Sequence, residues 1–245
     1  MKRLTNVLCM ISCACLFMSS ATFAADNEIW VDQSGTTANI DIEQLGQSNI
    51  VGGLLSVAGT LTPFDLDGTG MTLDINMIGS TNTFLGDIWA DTFTGFYEFT
   101  GDSNTFTIQV DPSNTYGADS SNQNINVTGS SNTFTLNQAS NALAGTLDLD
   151  WIIQGSSNTI TSNIDIDGST NYVDIDGSDN TLTYDGDGVT ASAGGYFYLD
   201  HTGSSRTFTV NQQSTLNNDW LKILSVGSNG SFCIIQNDQG TSTSC

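Results

Sequence analysis

The side chains best equipped for chemistry in this chain are carboxylates. Asp174-Ile-Asp176-Gly-Ser-Asp179 places three hard oxygen donors around a turn, a pattern that suits calcium. The bidentate Glu that closes an EF-hand loop is missing, and no Gly-Gly-x-Gly-x-Asp repeat accompanies the acids. Asp174 and Asp176 alternate with apolar residues, as Asp165 and Asp167 do with Ile164 and Ile166, and alternation assigns such acids to an outer, solvated face. Calcium at Asp174, Asp176 and Asp179 is the sharper expectation, and solvation the plainer one. Paired carboxylates can also hydrolyse sugars. Against an enzyme stand the scarcity of bases and the lack of zinc spacing, nucleophile elbow or phosphate-binding glycine loop. No catalytic residue and no cofactor other than calcium is expected.

The same scarcity of bases decides partners. Lys2 and Arg3 open an apolar run from Val7 to Phe17 that ends in small residues at Thr22-Phe23-Ala24. This is the pattern of a secretory leader over 1–24, too short for a membrane span. The lipoprotein reading of Cys13 and Cys15 lacks its upstream Leu. Beyond the leader only Arg206 and Lys222 oppose 26 acids. Such a surface repels nucleic acid and anionic membranes. Export permits a Cys233–Cys245 disulfide, the alternative being two free thiols.

The element that must position all these groups is a repeat. A Gly followed by a Ser/Asn-rich turn recurs nine times, at Gly46, Gly79, Gly101, Gly129, Gly155, Gly168, Gly177, Gly203 and Gly227. The third residue on is Asn in seven copies: Asn49, Asn82, Asn104, Asn132, Asn158, Asn171 and Asn180. The exceptions are Arg206 and Gly230. Flanking residues alternate, as in Ile125 and Val127 before Gly129 and Phe134 and Leu136 after it, which reads as strand–turn–strand with one buried face. The Asn shares the buried phase, where a lone amide is costly. Stacking in register removes that cost if each Asn side chain bonds to those above and below.

Rungs of about 22–28 residues are expected over 40–245, with 25–39 as a leading segment. The stretches 52–72, 85–96, 111–124 and 185–196 break the rhythm and read as protruding loops. His201 falls on the inward phase, as do Tyr97 and Phe197. Trp89 and Tyr198 are candidates for exposed glycan or partner contact. Asn126-Val-Thr128 and Asn229-Gly-Ser231 are formal glycosylation sequons.

These residues resemble curlin repeats, the units of curli fibres, which carry Gln-x-Gly-x-x-Asn and a second Gln six positions after the Asn. Gln44-Leu-Gly46-Gln-Ser-Asn49 is similar to the first half, and Asn132 to Gln138 to the second. Gln212 and Gln236 stand at the corresponding place in their copies. Most copies have an apolar residue instead of the first Gln. The resemblance implies a β-solenoid secreted across an outer membrane, self-associating into fibres or contacting cell-surface and matrix components. An all-β solenoid with a structural role is therefore expected. An adhesin or viral fibre-type binding module using loops on a capped solenoid is the runner-up, and a glycan-active β-helix enzyme is third. Strand edges would drive assembly, with the first rung as the adhesive edge and the aberrant last copy as the blunted one.

Overall fold

The computed structural model of the protein describes residues 27–52, 54–55, 61–62, 64–110, 120–138, 147–165, 168–187, 195–214 and 219–238. Every regular element among them is a strand. The chain is a β-solenoid: strands pair parallel and in register from one rung to the next. The leader expected over 1–24 lies outside the described residues. No helix among them is long and apolar enough to cross a membrane.

Two sheets run the length of the stack. One is formed by strands that lead into the corner glycines, from Asn39–Leu45 to Trp220–Val226. The other is formed by strands that follow the ladder residue, among them Thr105–Val110, Thr133–Gln138 and Thr207–Ser214. A third, short sheet joins Asp32–Thr36 to residues 65–69 and 87–91 in the first rungs. Asn49, Asn82, Asn104, Asn132, Asn158 and Asn180 succeed each other at intervals of 33, 22, 28, 26 and 22 residues. The first interval is longer than expected because an insertion after Gly52 carries a small antiparallel pair, Leu54–Leu55 with Leu61–Thr62.

Alternation buries one face of each strand. Phe84, Phe106, Phe134, Ile160, Leu182 and Phe208 form one inward column. Phe99 and Phe106 stack with centroids 3.5 Å apart, and Phe134 meets Trp151 edge-on at 5.1 Å. Tyr97 and Phe197 lie in this core, as their phase predicts.

Three expectations are corrected. Residues 85–96 do not protrude: they lie within the strand Thr83–Thr100, and residues 64–72 within Phe64–Ile78. The rhythm breaks there because a corner shifts the phase by one residue. Ile88 and Ala90 point inward before it, and Phe93 and Tyr97 after it. Residues 121–124, 185–187 and 196 are likewise in strands, whereas 111–119 and 188–194 are outside the described residues. Gly168 is not a copy of the glycine corner. Its φ of 68° matches the second corner, shared with Thr37, Gly70, Thr92 and Ser120 at 54° to 66°. The sheet already starts at Glu28, so the segment 25–39 contributes Glu28–Ile29 and Asp32–Thr36 to the stack.

Candidate functional site: a hydrogen-bonded corner and two ends

Each glycine corner is built from four residues. Gly46, Gly79, Gly101, Gly129, Gly155, Gly177, Gly203 and Gly227 hold φ between 128° and 152°. A Cβ on Gly101 would run into the carbonyl oxygen of Gly79 beneath it, so close stacking requires glycine here. Two residues later Ser48, Thr81, Ser103, Ser131, Ser157, Asp179, Ser205 and Asn229 sit at φ between 56° and 61°. For side chains other than Asn and Asp that conformation costs roughly 1–2 kcal/mol. It turns the chain so that the next amide, the Asn's own, meets no backbone carbonyl of the neighbouring rung.

That amide explains the inward Asn. The carboxamide oxygen of Asn82 accepts from the amide of Asn49 at 2.9 Å, and Asn104, Asn132, Asn158 and Asn180 repeat the bond at 2.8–2.9 Å. The ladder is thus side chain to backbone rather than amide to amide. Asn158 and Asn180 also donate through Nδ2 to the carbonyls of Gly129 and Gly155. Asn171 is buried but off the ladder, donating to Ser169 Oγ and Tyr184 OH.

A second ladder in the same corner is not apparent from the repeat. Ser80, Asp102, Ser130, Ser156, Ser178 and Ser204, one after each glycine, accept from the backbone amide of the following rung at 2.6–3.4 Å.

The glutamines divide. Gln44, Gln138 and Gln212 are buried. Gln138 accepts from Gln123 at 2.7 Å, a cross-sheet pair the repeat does not announce, and Gln212 donates to the carbonyl of Gly195. Gln236, exposed at the end of the stack, donates to the carbonyl of Asp219.

His201 is fully buried in the inward phase. Its Nε2 lies 3.3 Å from the Gly177 carbonyl and its Nδ1 2.9 Å from Ser225 Oγ. The carbonyl can only accept, so Nε2 carries the proton and Ser225 donates to Nδ1. Burial lowers the imidazole pKa and keeps the ring neutral.

The acids face outward. Asp174 pairs in register with Asp200, and Asp176 with Thr202, while Asp179 occupies the corner. Burial, then Asp176, Asp200 and Asp150, raises the pKa of Asp174. Among the described residues no three His, Cys, Asp or Glu side chains are gathered to hold a metal ion. A separate acidic column was missed by the repeat: Asp32, Asp65 and Asp87 stack on the third sheet. Burial, then Asp67, Asp87 and Asp32, pushes Asp65 up to about 6. Burial also raises Asp87, against the effect of a hydrogen bond from Trp89.

The two ends differ. In the first rung Ile42, Gln44 and Asn49 are buried, and Asn27 Nδ2 donates to Asn49 Oδ1 at 3.2 Å. In the last rung the inward side chains of Phe232 and Ile234 are 38% and 46% exposed, so the core opens at this end. Cys233 is on the outward phase and disulfide-bonded; Cys245, its expected partner, lies outside the described residues. No known protein family, curated protein or solved structure matches the chain.

Proposed function

We propose that the protein is a secreted structural subunit that assembles end to end, by strand stacking, into an extracellular fibre or matrix. The observation that carries this reading is the open last rung. Among the described residues Trp220–Val226 and Ser231–Asp238 each have one paired neighbour, and the apolar row between them is half in solvent. Unpaired strand edges over an open core are a template for another chain.

A second copy fits that template if the glycine column continues, with Gly46 of the incoming copy over Gly227. Leu221 and Ile223 would then face Ile40 and Ile42, and Val226, 68% exposed, would face Leu45, 57% exposed. Lys222 would face Asp41, the opposite-charge pairing that cross-strand neighbours favour. The amide of Gly230 would reach Asn49 Oδ1, continuing the ladder. Asn27–Ile29 of the incoming copy now occupies that trailing place and would move aside, releasing only two register pairs, Glu28 with Ile50 and Ile29 with Val51. The growing edge on this reading is the C-terminal rung meeting the N-terminal one, rather than an N-terminal edge with a blunted tail.

Electron microscopy and fibre diffraction of the purified chain test the reading. Fibres whose strand repeat along the axis is about 4.7–4.8 Å are expected. A chain that stays monomeric at high concentration would exclude it.

A further inference from the structure

The outer surface of the leading sheet contains a depression that the stacking function does not use. In one outward column the order is Phe96, Asn124, Asp150, Tyr172, Tyr198 and Lys222. Two short side chains stand between two rings. With rungs about 4.8 Å apart, the rings bound a trough roughly 14 Å long. Asn122 and Asp148, two residues earlier on the same strands, widen its floor. The cavity measures about 480 Å³, within the range of small-ligand sites. Phe96 is 45% exposed and Tyr172 36% exposed. Tyr172 is held rigid: it stacks on Tyr198 at 5.0 Å and 8°, and Tyr198 donates to Asp200 at 3.2 Å.

We propose that this trough binds a neutral oligosaccharide lying along the stack. The rings offer faces to the axial C–H groups of pyranoses, and the ring faces carry the negative charge that attracts them. The floor supplies two carboxylates and two carboxamides, which together accept from and donate to vicinal hydroxyls. Asp148 and Asp150 repel phosphate, sulfate and uronate groups, and among the described residues no Lys or Arg lines the trough. A peptide is a poorer fit. This is a sheet face, not an edge, so it offers no free backbone groups for strand addition. The trough is on the flank of the stack and remains open whether or not copies join end to end.

The test is calorimetry on the folded chain with cellohexaose, maltohexaose and N-acetylchitohexaose. A glucosamine hexamer and an oligogalacturonate serve as cationic and anionic controls. At least one neutral hexamer should bind with a dissociation constant of about 1 mM or tighter, equally at low and high salt, and the oligogalacturonate should not bind. Asn124→Tyr places a third ring in the depression on a solvent-facing strand position. It should weaken binding at least about tenfold while leaving the thermal midpoint unchanged. Three results would overturn the proposal. One is no binding by any neutral hexamer, and another is salt-sensitive binding by the glucosamine hexamer alone. The third is an Asn124→Tyr protein that binds as tightly as the original.

Discussion

The side chain of Arg206 occupies the space that a Cβ on Gly230 would need, its Cγ lying 2.6 Å from that position. The two departures from the repeat are therefore one feature. Arg206 takes the ladder place of its own rung and extends over the next, where its guanidinium lies 4.8 Å from the Phe232 ring. Gly230→Asn alone should destabilise the chain by about 1–3 kcal/mol through overpacking. In an Arg206→Asn background the same change should be neutral or stabilising. Urea unfolding of the four proteins measures the coupling, and additive effects would contradict a shared site.

Asn132→Ala orphans the amide of Asn104, which has no backbone carbonyl to turn to. A cost of about 1–3 kcal/mol is expected from the unpaired donor. Asn126→Ala, on the outward phase of the same rung, should change stability by less than about 0.5 kcal/mol. Chemical denaturation of both variants checks the contrast, and equal losses would contradict the ladder.

His201 and Asp65 give opposite pH dependences. The folded pKa of His201 is depressed, so the unfolded chain binds its proton more readily. Stability from the neutral ring is complete above the ordinary histidine pKa of about 6.5 and falls as pH drops below it. His201→Gln should flatten this acid limb in thermal melts recorded from pH 7 to pH 5.

The folded pKa of Asp65 is raised to about 6. Its protonated form favours the fold, so its contribution is complete below the ordinary aspartate pKa and is lost as pH rises through about 6. Asp65→Asn should raise the melting temperature at pH 8 and leave it nearly unchanged at pH 4. A variant less stable at pH 8 would mean that the carboxylate has a stabilising partner.

If copies join as proposed, Lys222→Asp sets like charges opposite each other and slows assembly several-fold, at about 0.2–1 kcal/mol per cross-strand pair. Adding Asp41→Lys should restore the rate. Sedimentation of assembled material over time reports both, and a double variant no faster than the single one would exclude this register.

The stack was legible in the sequence because its signals are local: glycine, turn, inward Asn and alternation recur within single rungs. Gly168-Ser-Thr-Asn171 copies the phrase of the glycine corner yet builds the second corner, and only the register of Asn171 with Leu149 and Phe197 separates the two. The shift at Asp91 and Thr92 hid a continuous strand, because alternation with one slipped residue resembles no alternation at all. Serine after glycine is also ordinary turn chemistry, so its ladder has no signature of its own in the sequence. The trough joins Phe96, Asn124, Asp150 and Tyr172 from four rungs of unequal length. Such columns appear only once the rungs are aligned in space.

The two ladders of the glycine corner run in opposite senses. Asn oxygens accept from the rung before, whereas Ser and Asp oxygens accept from the rung after. Between Gly79 and Gly177, where both ladders are present, their bond dipoles point against each other and largely cancel, as strand dipoles do in sheets. A helix accumulates a macrodipole along its axis, but these two opposed side-chain ladders accumulate little. Lengthening the stack, within one chain or across copies, therefore adds little axial dipole from these ladders, and the repulsion that grows with it is that of the outward acids.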